Sequence, residues 1–212
     1  MDKLTKTRGF HPAGGMFRNA ILFCLLSTGL FGLSEKSVLA DERYAFDKGH
    51  SSILFSVSRF GFFQEKGEFS DYDGDFVFCT QHPDKDAISI TFYSAGIRTS
   101  DEETDEDLRG PDFFNAAQFP QMRFVSTAVK LVDKDNAKIT GNLTLLGVTK
   151  PVAFDAHFAE RDDDTDNDDY VASFSASGVI KRSDFGMNHL IPIIGDEVHL
   201  RIQVKGIKKN AD

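Results

Sequence analysis

The sequence predicts an all-β domain of about eight short antiparallel strands, stacked as a sandwich or closed as a barrel. Three observations carry that prediction. First, Ile139, Gly141, Leu143 and Leu145 alternate with polar residues, and after a turn around Gly147 the alternation resumes at Val152, Phe154, Ala156 and Phe158. Successive side chains of a strand point to opposite faces, so this segment is a hairpin with one apolar face. Second, similar short runs recur along most of the chain. Third, a single stretch, Ser100 to Pro120, departs from them.

The N-terminal residues 1–40 stand apart from that domain. Lys3, Lys6, Arg8 and Arg18 precede a mostly apolar, uncharged run from Ala20 to Leu33, and Ser37-Val38-Leu39-Ala40 follows. A basic start, a short apolar run and small residues at the end make a secretory signal peptide, with cleavage expected after Ala40. The run is shorter than the roughly 20 apolar residues that span a bilayer. Phe23, just before Cys24, is too bulky for a lipoprotein signal. The remaining 41–212 suit one domain with a sizeable core. The chain carries a formal charge of −9, and the leader holds more bases than acids, so the domain is more acidic still. Such a surface repels nucleic acid and anionic membranes. Cys79 is the one cysteine of the domain and is expected as a small buried residue rather than half of a disulfide.

Strands are expected, in order, at Tyr44 to Asp47, at Ile53 to Arg59 and from Gly67 to Cys79 with a turn or bend at Asp71 to Gly74. Ala87 to Gly96 and Met122 to Val132 follow, then the hairpin, then Tyr170 to Lys181 and Val198 to Ile207. Within them Ile53, Phe55 and Val57 share a face, as do Ile88, Ile90 and Phe92, and Phe174, Ala176, Gly178 and Ile180. The exceptional stretch from Ser100 reads as a short helical insert near residues 101–115. Ser100 is placed to cap it, and Asp101, Glu102 and Glu103 suit its first turn. Leu108, Phe113 and Phe114 are apolar in this otherwise polar insert, which is expected to lay them over a barrel mouth. The acidic run Asp162 to Asp169 lacks the central Gly and closing Glu of a calcium loop and reads as a solvated turn.

Chemistry leaves few traces. His50, His82, His157, His189 and His199 show no metal-binding spacing, and no nucleophile elbow, phosphate loop or dinucleotide fingerprint occurs. No catalytic or metal residue is predicted. The aromatic content says more, with 21 Phe and no Trp. Phe55, Phe76, Phe92, Phe124, Phe154 and Phe174 fall on inward faces, and phenylalanine brings no polar handle. An interior lined this way suits a hydrocarbon chain. The alternation leaves open whether that interior is a filled core or a cavity.

An ordered set of short motifs spans nearly the whole domain. It runs through Phe46-Asp47, His50-Ser51, Gly67-x-Phe69 and Gly74, then Leu108-Arg109, Asp112-Phe113-Phe114, Phe119-Pro120 and Phe124. Gly141-Asn142-Leu143-Thr144-Leu145, Gly147-Val148-Thr149-Lys150-Pro151-Val152, Arg182-Ser183-Asp184-Phe185-Gly186-Met187 and Ile194-Gly195-Asp196-Glu197-Val198 complete it. In this set the chain resembles the YceI-like, or polyisoprenoid-binding, family of secreted bacterial proteins. It departs at Arg59-Phe60-Gly61, where members often carry a histidine. The resemblance implies an extended eight-stranded antiparallel lipocalin-like barrel, a periplasmic location, no catalysis, and an isoprenoid chain or isoprenoid quinone held inside.

On that basis the tunnel wall is expected from Phe55, Val57, Phe76, Ile90, Phe92, Phe124, Leu143, Leu145, Phe154, Phe174, Ile180 and Phe185, with Leu108, Phe113 and Phe114 at the mouth. Arg59, Arg109, Lys150 and Arg182 are the head-group candidates. A diphosphate would need such a basic cluster in an acidic protein, whereas a neutral quinone or amide head avoids the repulsion. No cofactor besides the lipid is expected, and the domain is read as a monomer or homodimer. A non-enzymatic interaction or stress protein with a filled core, serving a membrane electron-transfer component, is the alternative. An enzyme on this frame would need a polar cluster inside the barrel.

Overall fold

A computed structural model describes residues 42–78, 85–158 and 171–209. The expectations for the leader, Cys79, His82 and Asp162 to Asp169 lie outside the described residues. The chain forms β1 (Glu42–Phe46), β2 (Ser52–Arg59), β3 (Phe63–Phe69), β4 (Tyr72–Phe78), β5 (Ala87–Tyr93) and β6 (Ile97–Arg98). The helix α1 (Glu102–Arg109) follows, then β7 (Gln121–Leu131), β8 (Asn136–Leu145), β9 (Val148–Phe158), β10 (Val171–Lys181) and β11 (Ile194–Lys208).

These segments form one antiparallel sheet in the order β1-β4-β5-β7-β8-β9-β10-β11-β2-β3-β6, closed by pairing of β1 with β11. Three pairs of segments lie in line. The β1 and β2 segments both pair with β11, β3 and β4 pair with β2 and β1, and β5 and β6 pair with β4 and β3. Backbone bonds stitch the breaks, from Ser70 N to Gly96 O at 2.9 Å and from Tyr93 N to Asp71 O at 3.0 Å. Taken as continuous strands, the sheet is an eight-stranded closed antiparallel barrel, as expected. Closure removes the unpaired edges that an open sheet exposes.

Details differ from the sequence reading. The bend expected over Asp71 to Gly74 falls at Ser70 and Asp71, and Tyr72 already pairs with Phe92. The third strand begins at Phe63, not Gly67, because its first four residues are exposed and carry no apolar alternation. The helix stops at Arg109 instead of reaching 115. Gly110 is extended there, with ψ 171°, the conformation the following Pro111 favours. Asp101, not Ser100, caps the helix, accepting from the Thr104 backbone N at 3.0 Å. Phe113 and Phe114 therefore sit on the turns after the helix. Those turns fold back through bonds from Phe114 N to Leu108 O and Asn115 N to Gly110 O, at 2.9 and 2.8 Å.

The Leu146-Gly147 turn between β8 and β9 has both residues at positive φ, 51° and 73°, the geometry that follows the strands' twist. A side chain on Gly147 would also meet the Phe119 ring at 3.1 Å. This turn lies at the same barrel end as α1, the β2–β3 turn and the connection from β10 to β11. The opposite end is filled. Tyr44, fully buried, stacks on Phe76 at 5.0 Å, and Phe46 and Phe174 each meet Phe76 edge-on, at 5.8 and 5.4 Å.

Candidate ligand-binding site

Inward-facing glycines shape the barrel interior. A Cβ on Gly67 would lie 2.3 Å from the Phe55 ring, one on Gly141 2.4 Å from Phe124, and one on Gly178 2.6 Å from Phe154. Each ring occupies the place where a neighbouring strand lacks a side chain. The phenylalanines thus lie against the wall and leave room along the axis. A glycine inside a strand often marks such a close approach.

The room so left is a cavity of about 120 Å³. Its wall includes Phe55, Val57, Ile90, Phe92, Phe124, Leu143, Leu145, Phe154, Phe174 and Ile180, with Leu108, Phe113 and Phe114 at the helical end. Among the described residues, no polar atom is exposed to it. The sequence reading did not anticipate Phe69, Met122, Met187, Ile194, Val198 and Leu200 in this wall. The strand alternation contained the signal for Val198 and Leu200. Met187 arrives through a loop that no period describes.

Two expected wall residues are elsewhere. Phe76 belongs to the aromatic plug of the far end, under Tyr44 and against the gap above Gly206, where a Cβ would come within 2.5 Å of its ring. Phe185 is buried in the 3-10 turn Arg182–Phe185 and does not reach the cavity. Its place in an irregular connection, rather than in a strand, is what the alternation could not supply.

A second, more polar space of about 340 Å³ adjoins the first. Phe55, Val57, Leu108, Phe113 and Ile194 line both, so they form the partition between cavity and vestibule. The vestibule is edged by Arg59, Lys66 and His189 and by Glu65, Glu106, Asp107 and Asp112. Leu108 projects from α1, whose placement rests on Asp105. This buried carboxylate accepts from the Thr99 backbone N at 2.6 Å and its hydroxyl at 2.7 Å. Truncating Leu108 to Ala thins the partition without opening the core. The expected result is at least a threefold faster release of a preloaded apolar probe, with the unfolding midpoint nearly unchanged, read by stopped-flow fluorescence and urea titration.

The four basic candidates do not come together. Arg59 edges the vestibule, paired with Glu65 at 3.3 Å and 5.5 Å from the centre of the Phe60 ring. Arg109 faces Asp105 at 3.6 Å, and its Nε is buried without a hydrogen-bond partner among the described residues. Lys150 is exposed on β9 and lines neither space. Arg182 touches the cavity wall, yet its guanidinium is turned away from it. Nε donates to Gly195 O, Nη1 to Met187 O, and Nη2 to His189 O and Ile194 O, each at 2.9 Å. Desolvation lowers its pKa from the ordinary guanidinium value, with Asp196 opposing. Burial pushes the Asp196 carboxyl up, but bonds from the Ser183 N–H and hydroxyl outweigh it and hold the group below the usual carboxylate range. Arg182 thus ties the β10–β11 connection together and is not a free head-group contact.

The family model of the YceI-like domain matches residues 44–206. This chain belongs to the YceI-like family. A UPF0312 protein of Pectobacterium atrosepticum is 39% identical over 178 residues, covering 83% of this chain and 91% of the relative. Among solved structures, Burkholderia cenocepacia BcnA superposes with a TM-score of 0.69 at 21% identity, over 76% of this chain and 98% of its own. A polyisoprenoid-binding domain from Saccharophagus degradans superposes with a TM-score of 0.60 at 13% identity, over 78% and 98%. At these identities the two structures establish the shared fold. Within the YceI-like frame, the cavity, its partition and the vestibule are the features from which a ligand site is built.

Proposed function

We propose that this protein binds a lipid of isoprenoid type, a polyisoprenoid or isoprenoid quinone with a neutral or weakly charged head, and carries or stores it in the periplasm. The observation that carries this reading is the wholly apolar cavity opening through a thin partition into a polar vestibule. A cavity of roughly 150 Å³ takes a benzene-sized group, so the enclosed space as it stands holds the end of a chain. The rest passes between Leu108 and Phe113 into the vestibule, or parts the side chains of the lumen. Each buried methylene contributes about 0.8 kcal/mol, so even part of an isoprenoid chain offsets the cost of ordering it. The solved neighbour described as polyisoprenoid-binding supports the same class of ligand.

The basic residues favour a neutral head. Arg182 is committed to carbonyls, Arg59 and Arg109 to carboxylates, and four acids edge the vestibule. Arg59 and Lys66 stand against those four acids, so a diphosphate there would meet net negative charge. The periplasmic location rests on the leader and its expected cleavage after Ala40. The reading is one of binding, since the cavity offers an apolar surface that suits a hydrocarbon chain.

The test is a competition between an isoprenoid quinone and a polyisoprenyl diphosphate of matched chain length for displacement of an apolar fluorophore. At least tenfold tighter quinone binding is expected. Equal or tighter binding of the diphosphate would refute the neutral-head reading.

A further inference from the structure

Six large apolar side chains stand out in solvent on two adjoining loops beside the vestibule. They are Phe60 and Phe62 in the β2–β3 turn, Phe63 at the start of β3, and Leu190, Ile191 and Ile193 before β11, with exposures of 54, 74, 57, 45, 37 and 45%. Other exposed large apolar residues, such as Leu54, Val125, Leu131 and Ile207, lie along β2, β7 and β11 outside these loops. The two loops are clipped together by a bond from Phe60 N to Ile193 O at 2.7 Å, and the Phe62 and Phe63 rings meet at 4.4 Å. The side chains are held there against local preference. Phe60 and Leu190 have φ of 54° and 56°, left-handed positions that Gly or Asn fill at lower cost. An exposed Phe and Leu at such sites call for a reason other than backbone geometry.

We propose that this tip inserts into the interfacial layer of a neutral lipid bilayer and seats the barrel mouth on the membrane. The proposal rests on the lipid-binding reading, since a water-insoluble chain then passes between bilayer and lumen without crossing water. Continuity supports it. Leu190 lines the vestibule beside Arg59 and Ile194, so the apolar tip runs straight into the route to the cavity. Charge selects the kind of surface. The vestibule mixes Arg59 and Lys66 with Glu65, Glu106, Asp107 and Asp112, and the chain's formal charge is −9, so an anionic surface gains nothing and a zwitterionic one is not opposed. The area fits insertion better than pairing with a second copy. Three phenylalanines of about 200 Å² each, at 54, 74 and 57% exposure, present on the order of 350 Å²; the smaller and less exposed Leu190, Ile191 and Ile193 add less than that again, so the tip stays below the about 800 Å² that a stable interface takes from each partner. Insertion of apolar loops needs no matched partner surface.

The chain holds no Trp, so Phe62→Trp supplies a single reporter in the full chain as its host processes it. With phosphatidylcholine vesicles the Trp emission is expected to shift to the blue and to be quenched by brominated lipid, equally at low and at molar salt. The triple variant Phe60→Ser, Phe62→Ser, Phe63→Ser is expected to lose at least tenfold in vesicle flotation and in lipid exchange with vesicles. Its preloaded lipid and unfolding midpoint are expected to stay as in the parent. No blue shift with vesicles would overturn the proposal, as would a shift that follows protein concentration alone, which would mean a second copy covers the tip. So would unchanged flotation or unchanged exchange in the triple variant. A parent that docks but never holds lipid would instead defeat the lumen reading.

Discussion

Arg182→Met is expected to lower the stability of the domain by at least about 3 kcal/mol. The substitution strips hydrogen bonds from the carbonyls of Met187, His189, Ile194 and Gly195. Leaving one buried acceptor unsatisfied costs about 1–3 kcal/mol. The total is a large share of the roughly 5–15 kcal/mol that a domain possesses. Arg182→Lys is expected to recover little, because an ammonium is one compact donor centre and the four carbonyls are arranged around a planar fork. Urea unfolding followed by far-UV circular dichroism measures both. A change below about 0.5 kcal/mol, within the range of a substitution that disturbs no structural feature, would show that the β10–β11 connection does not depend on this residue.

Gly178→Ala is expected to empty the lumen while leaving the fold intact. The added Cβ would sit 2.6 Å from Cδ1 of Phe154 and 2.9 Å from the carbonyl oxygen of Ala153. The backbone resists and the ring yields, and its way out leads into a cavity of only about 120 Å³. Overpacking of this kind costs about 1–3 kcal/mol of stability. Retention of an apolar probe is expected to fall at least tenfold. The double variant Gly178→Ala with Phe154→Ala gives the ring's space back and is expected to restore most of the binding. Wild-type retention in the single variant would mean that the wall glycines do not keep the lumen clear.

Much of the barrel was legible because its strands alternate cleanly. Gly141, Leu143 and Leu145 with Val152, Phe154 and Ala156 marked the hairpin, and Ile88, Ile90 and Phe92 the fifth strand, and both are strands in the barrel. Other elements lacked such a signal. Gln64, Glu65 and Lys66 form a strand exposed on both faces, so no period marks it. A bulge between Ser126 and Ala128 shifts the phase of β7, and the inward set passes from Met122 and Phe124 to Val129.

At the site, the Phe residues of the wall could be read from their strands, whereas Arg182 could not. Its partners are backbone carbonyls along 187–195, and sequence carries no mark of a carbonyl's direction. The wall glycines did carry a mark. Gly67, Gly141, Gly178 and Gly206 each interrupt a strand, and each proves to be the seat of a phenylalanine ring. The loops at the mouth follow no period, so their exposed Phe62 and Ile193 emerge only with the fold.

The central claim is that an apolar chain occupies this interior. Native mass spectrometry of the protein purified from its own host, without detergent, tests it most directly. A second series of peaks is expected, heavier by the mass of one lipid, whose fragmentation shows an isoprenoid chain. That series should be lost in Gly178→Ala. A single lipid-free mass under several gentle extraction conditions would contradict the account.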